Sequence, residues 1–137
     1  MSVIRELLRT EDNGTISFGN YELSEKSKLD DYEFDGDVYK IKTFREITKL
    51  ERNGLFVYES VPGTAVQQFQ VSENGIVFYV SGSEHAQITL GLEADAGYEV
   101  YVAEECIGEM KTNLGGKLSL SVDLSEDTVV QVRIVRL

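Results

Sequence analysis

The sequence predicts an all-β chain, an antiparallel β-sandwich built from hairpins with a short N-terminal helix. Three observations carry that expectation. Apolar and polar residues alternate in run after run, which is the period of a strand with one buried face. Asn-Gly stands at 13–14, 53–54 and 74–75 and Asp-Gly at 35–36, and such pairs accept the positive φ that two-residue hairpin turns demand. From residue 63 onward, short runs recur at roughly 8–12-residue intervals, the rhythm of a compact antiparallel sandwich.

Taken in order, the helix is expected over residues 2–9, where Ile4, Leu7 and Leu8 share a side. Strands follow near 15–23, 32–44 and 47–60. Within the last of these, a two-residue Asn53-Gly54 turn sets Leu50 opposite Val57 and Lys49 opposite Tyr58, although Phe44, Ile47 and Leu50 also suit a short helix. Pro62, the only proline, lies in SVPGT, a turn that interrupts strand pairing. A boundary is therefore expected there, between an N-terminal hairpin region (1–62) and a C-terminal sandwich (63–137), the two packing closely for want of a flexible linker.

Beyond Pro62, a two-residue Asn74-Gly75 turn would place Val71 opposite Phe78 and Phe69 opposite Val80 on one apolar face. Four further runs each line up one apolar side: Ile88, Leu90 and Leu92; Tyr98, Val100 and Val102; Leu118, Leu120, Val122 and Leu124; and Val130, Val132 and Ile134. Polar and glycine clusters, including Asp95-Ala96-Gly97 and Asn113-Leu114-Gly115-Gly116, separate them. The C-terminal stretch from YEVYV through GGKLSLSVDL to VVQVRIV resembles the small β-sandwich modules appended to many bacterial carbohydrate-active enzymes and surface proteins. The resemblance implies a sandwich and inclines the reading toward ligand binding.

One stretch, DYEFDGDVYKIK at 31–42, matches the start of a calcium loop, with Asp31, Glu33 and Asp35 at the first, third and fifth ligand places and Gly36 at the sixth. The twelfth place, which should hold a bidentate glutamate, is Lys42. A hairpin tip at Asp35-Gly36, with Tyr32, Phe34, Tyr39 and Ile41 alternating around it, is the expected reading.

Thirteen basic side chains against twenty-four acidic ones leave a formal charge of −11. That field repels phosphate backbones and anionic lipid, so neither nucleic acid nor membrane is an expected partner. The basic candidates Lys40, Lys42, Arg45, Lys49 and Arg52 alternate with Glu46 and Glu51 and read as a solvated face. The start, MSVIRELLRTED, has no apolar run of signal-peptide length, and a lone cysteine suits a reducing compartment, so the expected location is the cytoplasm.

Catalysis has few starting points. His85 is the only histidine and Cys106 the only cysteine. Cys106 sits in EECIGE, expected as a turn, whose carboxylates oppose thiolate formation, and two soft ligands are too few for a zinc site. Gly-Gly-Lys at 115–117 lacks the spacing of a phosphate loop. No catalytic, metal-binding or cofactor-binding residue is expected, and no cofactor. Tyr58, Tyr79 and Tyr101 fall opposite the core alternation of their strands, where flat amphipathic rings serve as an interaction surface unless a second sheet covers them. The expected function is a non-catalytic, cytoplasmic protein-binding or self-assembly module, with a small-ligand or carbohydrate-binding module as the alternative.

Overall fold

In the computed structural model, which describes residues 3–137, the alternating runs become thirteen strands, all paired antiparallel, and none of the described residues is helical. The first six are β1 (Leu8–Thr10), β2 (Ile16–Phe18), β3 (Ser27–Phe34), β4 (Asp37–Phe44), β5 (Ile47–Arg52) and β6 (Leu55–Val61). Past Pro62 come β7 (Ala65–Ser72), β8 (Gly75–Ser81), β9 (Ala86–Gly91) and β10 (Gly97–Val102), then β11 (Glu105–Lys111), β12 (Lys117–Val122) and β13 (Val130–Arg136). A seven-stranded sheet has the order β1-β2-β7-β8-β13-β10-β11, and a six-stranded sheet the order β12-β9-β6-β5-β4-β3. Both sheets draw strands from either side of Pro62, which lies where the chain leaves β6 in one sheet for β7 in the other.

One cluster of buried side chains draws on both sheets. Its centre is aromatic: Tyr58 of β6 meets Phe18 of β2 edge-on at 5.2 Å between ring centroids, and Phe78 of β8 at 5.8 Å. Such contacts contribute about 0.5–1.5 kcal/mol each beyond their burial. The apolar alternation read for β8, β9, β10, β12 and β13 points inward as expected, with Phe78, Ile88, Leu90, Val100, Leu120 and Val132 all buried.

At the end of the molecule where the chain crosses between sheets, the core is polar. Thr48 Oγ1 donates to the Thr64 carbonyl at 2.8 Å and accepts the Thr64 N–H at 3.0 Å. A hydroxyl has one proton to give, so at the 2.8 Å contact between the two threonine hydroxyls Thr43 is the donor. Thr43 Oγ1 in turn accepts the Asn20 N–H at 2.9 Å. The Thr64 hydroxyl lies 2.8 Å from both the Tyr58 and the Ser60 hydroxyls. Thr43, Thr48, Tyr58, Ser60 and Thr64 are all fully buried.

Three expectations are corrected. The N-terminal helix is absent from the described part of 2–9: residues 5 and 6 form a turn and the strand β1 begins at Leu8. Ile4 and Leu8 are buried instead in the shared core, and the Ile4 N–H and Leu7 carbonyl bond to Gly19, so tertiary pairing overrides a helical pattern only two turns long. In the 53–54 hairpin the turn is as expected, with Asn53 and Gly54 both at positive φ, but the register shifts between Leu50 and Glu51, so Leu50 pairs with Tyr58, not Val57. In the 74–75 hairpin the two loop residues are Glu73 and Asn74, since Ser72 pairs with Gly75. Gly75 is claimed by the sheet: it also pairs with Val135, and a Cβ there would sit 1.8 Å from the Ile134 carbonyl oxygen.

Of the remaining glycine turns, Asp35-Gly36 behaves as read and Asn13-Gly14 is not the two-residue turn expected. Asp35-Gly36 is a two-residue turn with both φ positive, joining Phe34 to Asp37, so DYEFDGDVYKIK is a hairpin. Asn13-Gly14 closes a longer connection over residues 11–15, in which the Asn13 side-chain oxygen accepts the Thr15 hydroxyl at 2.6 Å. EECIGE forms no turn beyond Glu104; it is the start of β11.

Thr48→Val is expected to cost about 2–4 kcal/mol, because it leaves the buried N–H and C=O of Thr64 without their partner, and Tyr58→Phe about 1 kcal/mol. Urea unfolding at neutral pH checks both. Burial holds the Tyr58 hydroxyl well above its ordinary 10.0, against a smaller opposing effect of its bonds to Thr64 and Ser60. A raised folded-state value means the associated stability is whole below about pH 10 and is lost as pH rises beyond it. Wild-type stability should therefore fall more steeply than that of Tyr58→Phe between about pH 10 and 11.5. Tyr21 and Tyr39, also raised chiefly by burial, are common to both proteins and cancel in the difference. Gly75→Ala, with no room and φ +140°, should lose roughly 2–4 kcal/mol. Gly36→Ala, at φ +82° but in open space, should lose about 1–2 kcal/mol.

Candidate functional site

The end opposite the threonine cluster is open. Four connections gather there: the Asn53-Gly54 turn, the Glu73-Asn74 turn, the β9–β10 link and the β11–β12 link. Between them lies a cleft of about 600 Å³. Its floor is apolar, with Val57, Ile76 and Tyr98 buried and Leu92 half-buried, while Leu55 and Val71 stand exposed at its mouth. Arg52, Glu73, Glu93 and Lys117 bring charge to the rim.

Local sequence explains how these groups reach the cleft. Gly91 lets β9 close against the Phe56 backbone, because a Cβ would lie 2.3 Å from the Phe56 carbonyl oxygen. The exposed Lys117 then sets its ammonium 4.6 Å from the Phe56 ring centroid, a cation–π contact. Across the cleft, the Tyr98 hydroxyl accepts the Glu93 N–H at 3.2 Å, and the Glu93 carboxylate pairs with Arg136 at 3.5 Å. Arg136 also stands 5.7 Å from the Tyr98 ring centroid. The walls offer an apolar floor, two hydrogen-bonding carboxylates and two cations, with both aromatic rings already facing a cation.

Of the three tyrosines expected on an interaction surface, only two are on a surface. Tyr58 is fully buried. The register shift beside Leu50 is the cause: an extra residue in β6 turns both Val57 and Tyr58 inward, reversing the face that simple alternation assigns. Tyr79 and Tyr101 lie on the outer face of the seven-stranded sheet, on β8 and β10, with β13 between them. Tyr79, 38% exposed, receives a long hydrogen bond from Gln131 at 3.4 Å. The Arg133 guanidinium lies 4.0 Å from the Tyr101 ring centroid, and the Tyr101 hydroxyl donates to Glu99 at 3.0 Å. That bond and the negative charge of Glu99 push the Tyr101 hydroxyl above its ordinary range.

His85 lies in the loop before β9, at the six-stranded sheet, while Cys106 belongs to the seven-stranded sheet. The His85 Nδ1 meets the Asp123 carboxylate at 2.6 Å beside the β9–β12 pair, both side chains exposed. Cys106, also exposed, is on β11 opposite Tyr101. Among the described residues no group of three or more His, Cys, Asp or Glu side chains is placed to hold a metal ion, and no helix is long and apolar enough to cross a membrane.

The cleft was invisible to one-dimensional reading, because its lining comes from four separate connections. Only Leu55 and Val71, apolar residues flanking turns, mark it in the sequence. Comparison with protein-family models, with curated proteins and with solved structures finds no match to the chain.

Proposed function

We propose that the chain is a non-catalytic β-sandwich binding module, and that a small amphipathic molecule seats in the open-end cleft. The observation that carries this reading is the cleft's composition: a buried apolar floor of Val57, Ile76 and Tyr98 beneath a rim charged by Arg52, Glu73, Glu93 and Lys117. Its volume of about 600 Å³ lies within the range of pockets that take small organic ligands. An apolar body against the floor would exclude water, and a polar or anionic head would meet Arg52 or Lys117 at the rim. A sugar is less well served, since Lys117 and Arg136 already face the two aromatic rings a sugar would stack on. The side chains lining the cleft supply no paired nucleophile and base, which supports binding over catalysis.

The apolar sulfonate 1-anilino-8-naphthalenesulfonate is the test probe. It should bind the native protein at one saturable site, and Leu55→Asp with Val71→Asp should weaken it at least about tenfold. Both substituted residues are exposed, so the fold should tolerate the change. Unsaturable fluorescence, or an unaltered affinity in the double variant, would count against the cleft as a ligand site.

A second reading, self-association as a protein-binding module, is favoured by the outer face of the seven-stranded sheet, where Tyr79 is exposed at 38% and Ile107 at 51%. On this reading light scattering at rising concentration finds a dimer that Tyr79→Glu dissociates. A monomer at all concentrations up to about 1 mM, a Kd worth only about 4 kcal/mol, would remove it.

A further inference from the structure

The outer face of the six-stranded sheet carries a row of lysines that the chain's acidic composition makes conspicuous. Lys28 pairs directly with Lys42 across β3 and β4, and Lys42 pairs directly with Lys49 across β4 and β5. Lys40, two residues along β4, stands on the same side, and these four lysines with Glu51 line a shallow depression of about 60 Å³. Like charges placed directly opposite each other in a sheet destabilise it. The protein has twenty-four acidic residues with which to neutralise the row, yet only two of the described ones border it: Glu51, opposite Lys40 and 3.6 Å from Lys49, and Glu59, opposite Lys49 on β6. Among the described residues no carboxylate lies within ion-pair distance of Lys28, Lys40 or Lys42.

Five of the nine other basic side chains are compensated, while Arg5, Lys26, Arg45 and Arg52 make no ion pair among the described residues. Arg9 pairs with Glu6 and Glu11, Lys111 with Asp95 and Arg136 with Glu93, while Lys117 and Arg133 lie over aromatic rings. What sets the row apart is that its lysines stand directly opposite one another across the strands, a local conflict of the kind expected at functional sites. Burial, and after it the ammonium groups of Lys26, Lys49 and Lys28, hold Lys42 below the ordinary lysine range against the opposing charge of Glu51.

We propose that the Lys28–Lys42–Lys49 row is an anion-binding site whose ligand is a small molecule bearing two or three adjacent oxyanion groups of phosphate or sulfate type. Strands lie about 4.8 Å apart, so three adjacent lysines span roughly 10 Å. One monovalent anion cannot neutralise that length, whereas a linear polyanion can bridge it. The site is flat and on the outer face, separate from the open-end cleft, so it stands or falls independently of the ligand proposed there.

Inorganic tripolyphosphate is the probe, set against monophosphate and against sodium chloride at equal ionic strength. Tripolyphosphate at tenfold excess over its Kd should raise the Tm by about 3–5 °C beyond the salt control, with monophosphate giving clearly less. The Lys42→Thr/Lys49→Thr variant should lose that increment and, relieved of repulsion, melt higher than the native protein in low salt. In the native protein, amide shifts on titration should saturate and centre on residues 28, 40, 42 and 49. A rise no greater than that in sodium chloride, an increment preserved in the variant, or shifts centred on Lys111, Lys117 or Arg133 would overturn the assignment. The shift map uses the native chain alone, so the result stands even if the variant does not fold.

Discussion

Everything in this fold hangs on how the chain passes from one sheet to the other. A crossing strand must leave its ladder, and the backbone groups it frees must be satisfied where no water reaches. Thr64 is the residue at that crossing, and a single hydroxyl, that of Thr48, takes both its N–H and its C=O. The Thr64 side chain then holds Tyr58 and Ser60, and Thr43 extends the chain of bonds to the backbone of Asn20, which follows β2. Strand residues of the six-stranded sheet are thus joined through hydroxyls to the connections that follow β2 and precede β7, two strands of the other sheet. An apolar core could be slid in register at modest cost, but this end cannot, because each hydroxyl has one proton and each is committed.

The same requirement accounts for what alternation could and could not reveal. Strands, their inward faces and the turns at Asp35-Gly36 and Asn53-Gly54 were legible because each is set by neighbours in sequence. The buried Thr43, Thr48 and Ser60 were not, since a polar residue on an inner face reads as a solvent position until the crossing it serves is known. The extra residue beside Leu50 has no local signature either, and it reverses the side on which Tyr58 emerges. That reversal puts the Tyr58 hydroxyl within reach of Thr64 and its ring against Phe18 and Phe78. The bulge is therefore selected by contacts some distance away along the chain, and no window of sequence contains them. Two turns show the same dependence: Arg45-Glu46 joins β4 to β5 without glycine, its backbone tied to Leu23 and Gly63, and Ala103-Glu104 joins β10 to β11 with both residues at positive φ.

Sealing one end with hydroxyls leaves the opposite end to be closed by loops alone. There the connections are short, and Gly75 and Gly91, each hemmed in by the backbone of the neighbouring strand in its own sheet, add no side chain to the gap between the sheets. Val57, Ile76 and Tyr98 are left as a floor without a roof. The cleft is in this sense a consequence of the topology, and its charged rim is what the sequence adds to it. The two ends differ in kind: at one the hydroxyls of Thr43, Thr48, Tyr58, Ser60 and Thr64 are bonded together, with the buried Ser81 hydroxyl beside them left without a partner, and at the other an apolar floor stands open.

Charge follows a similar logic in two dimensions. Along the chain, lysines and glutamates between residues 40 and 52 alternate and look mutually compensating. Pairing redistributes them. Glu46 falls in the β4–β5 turn, and the registers of β3, β4 and β5 bring Lys28, Lys42 and Lys49 abreast. The row is interrupted only at β6, where Lys49 faces Glu59. A mixed sequence has become a segregated surface, through the two-residue turn at Arg45-Glu46, the hairpin at Asp35-Gly36 and the register shift between Leu29 and Tyr32 in β3. Moving either turn by one residue would send these lysines to the inner face and Ile41 and Leu50 to solvent, so the burial of that apolar pair is what fixes the positive row in place. The repulsion among the ammonium groups is tolerated because the core beneath them leaves the strands no other register.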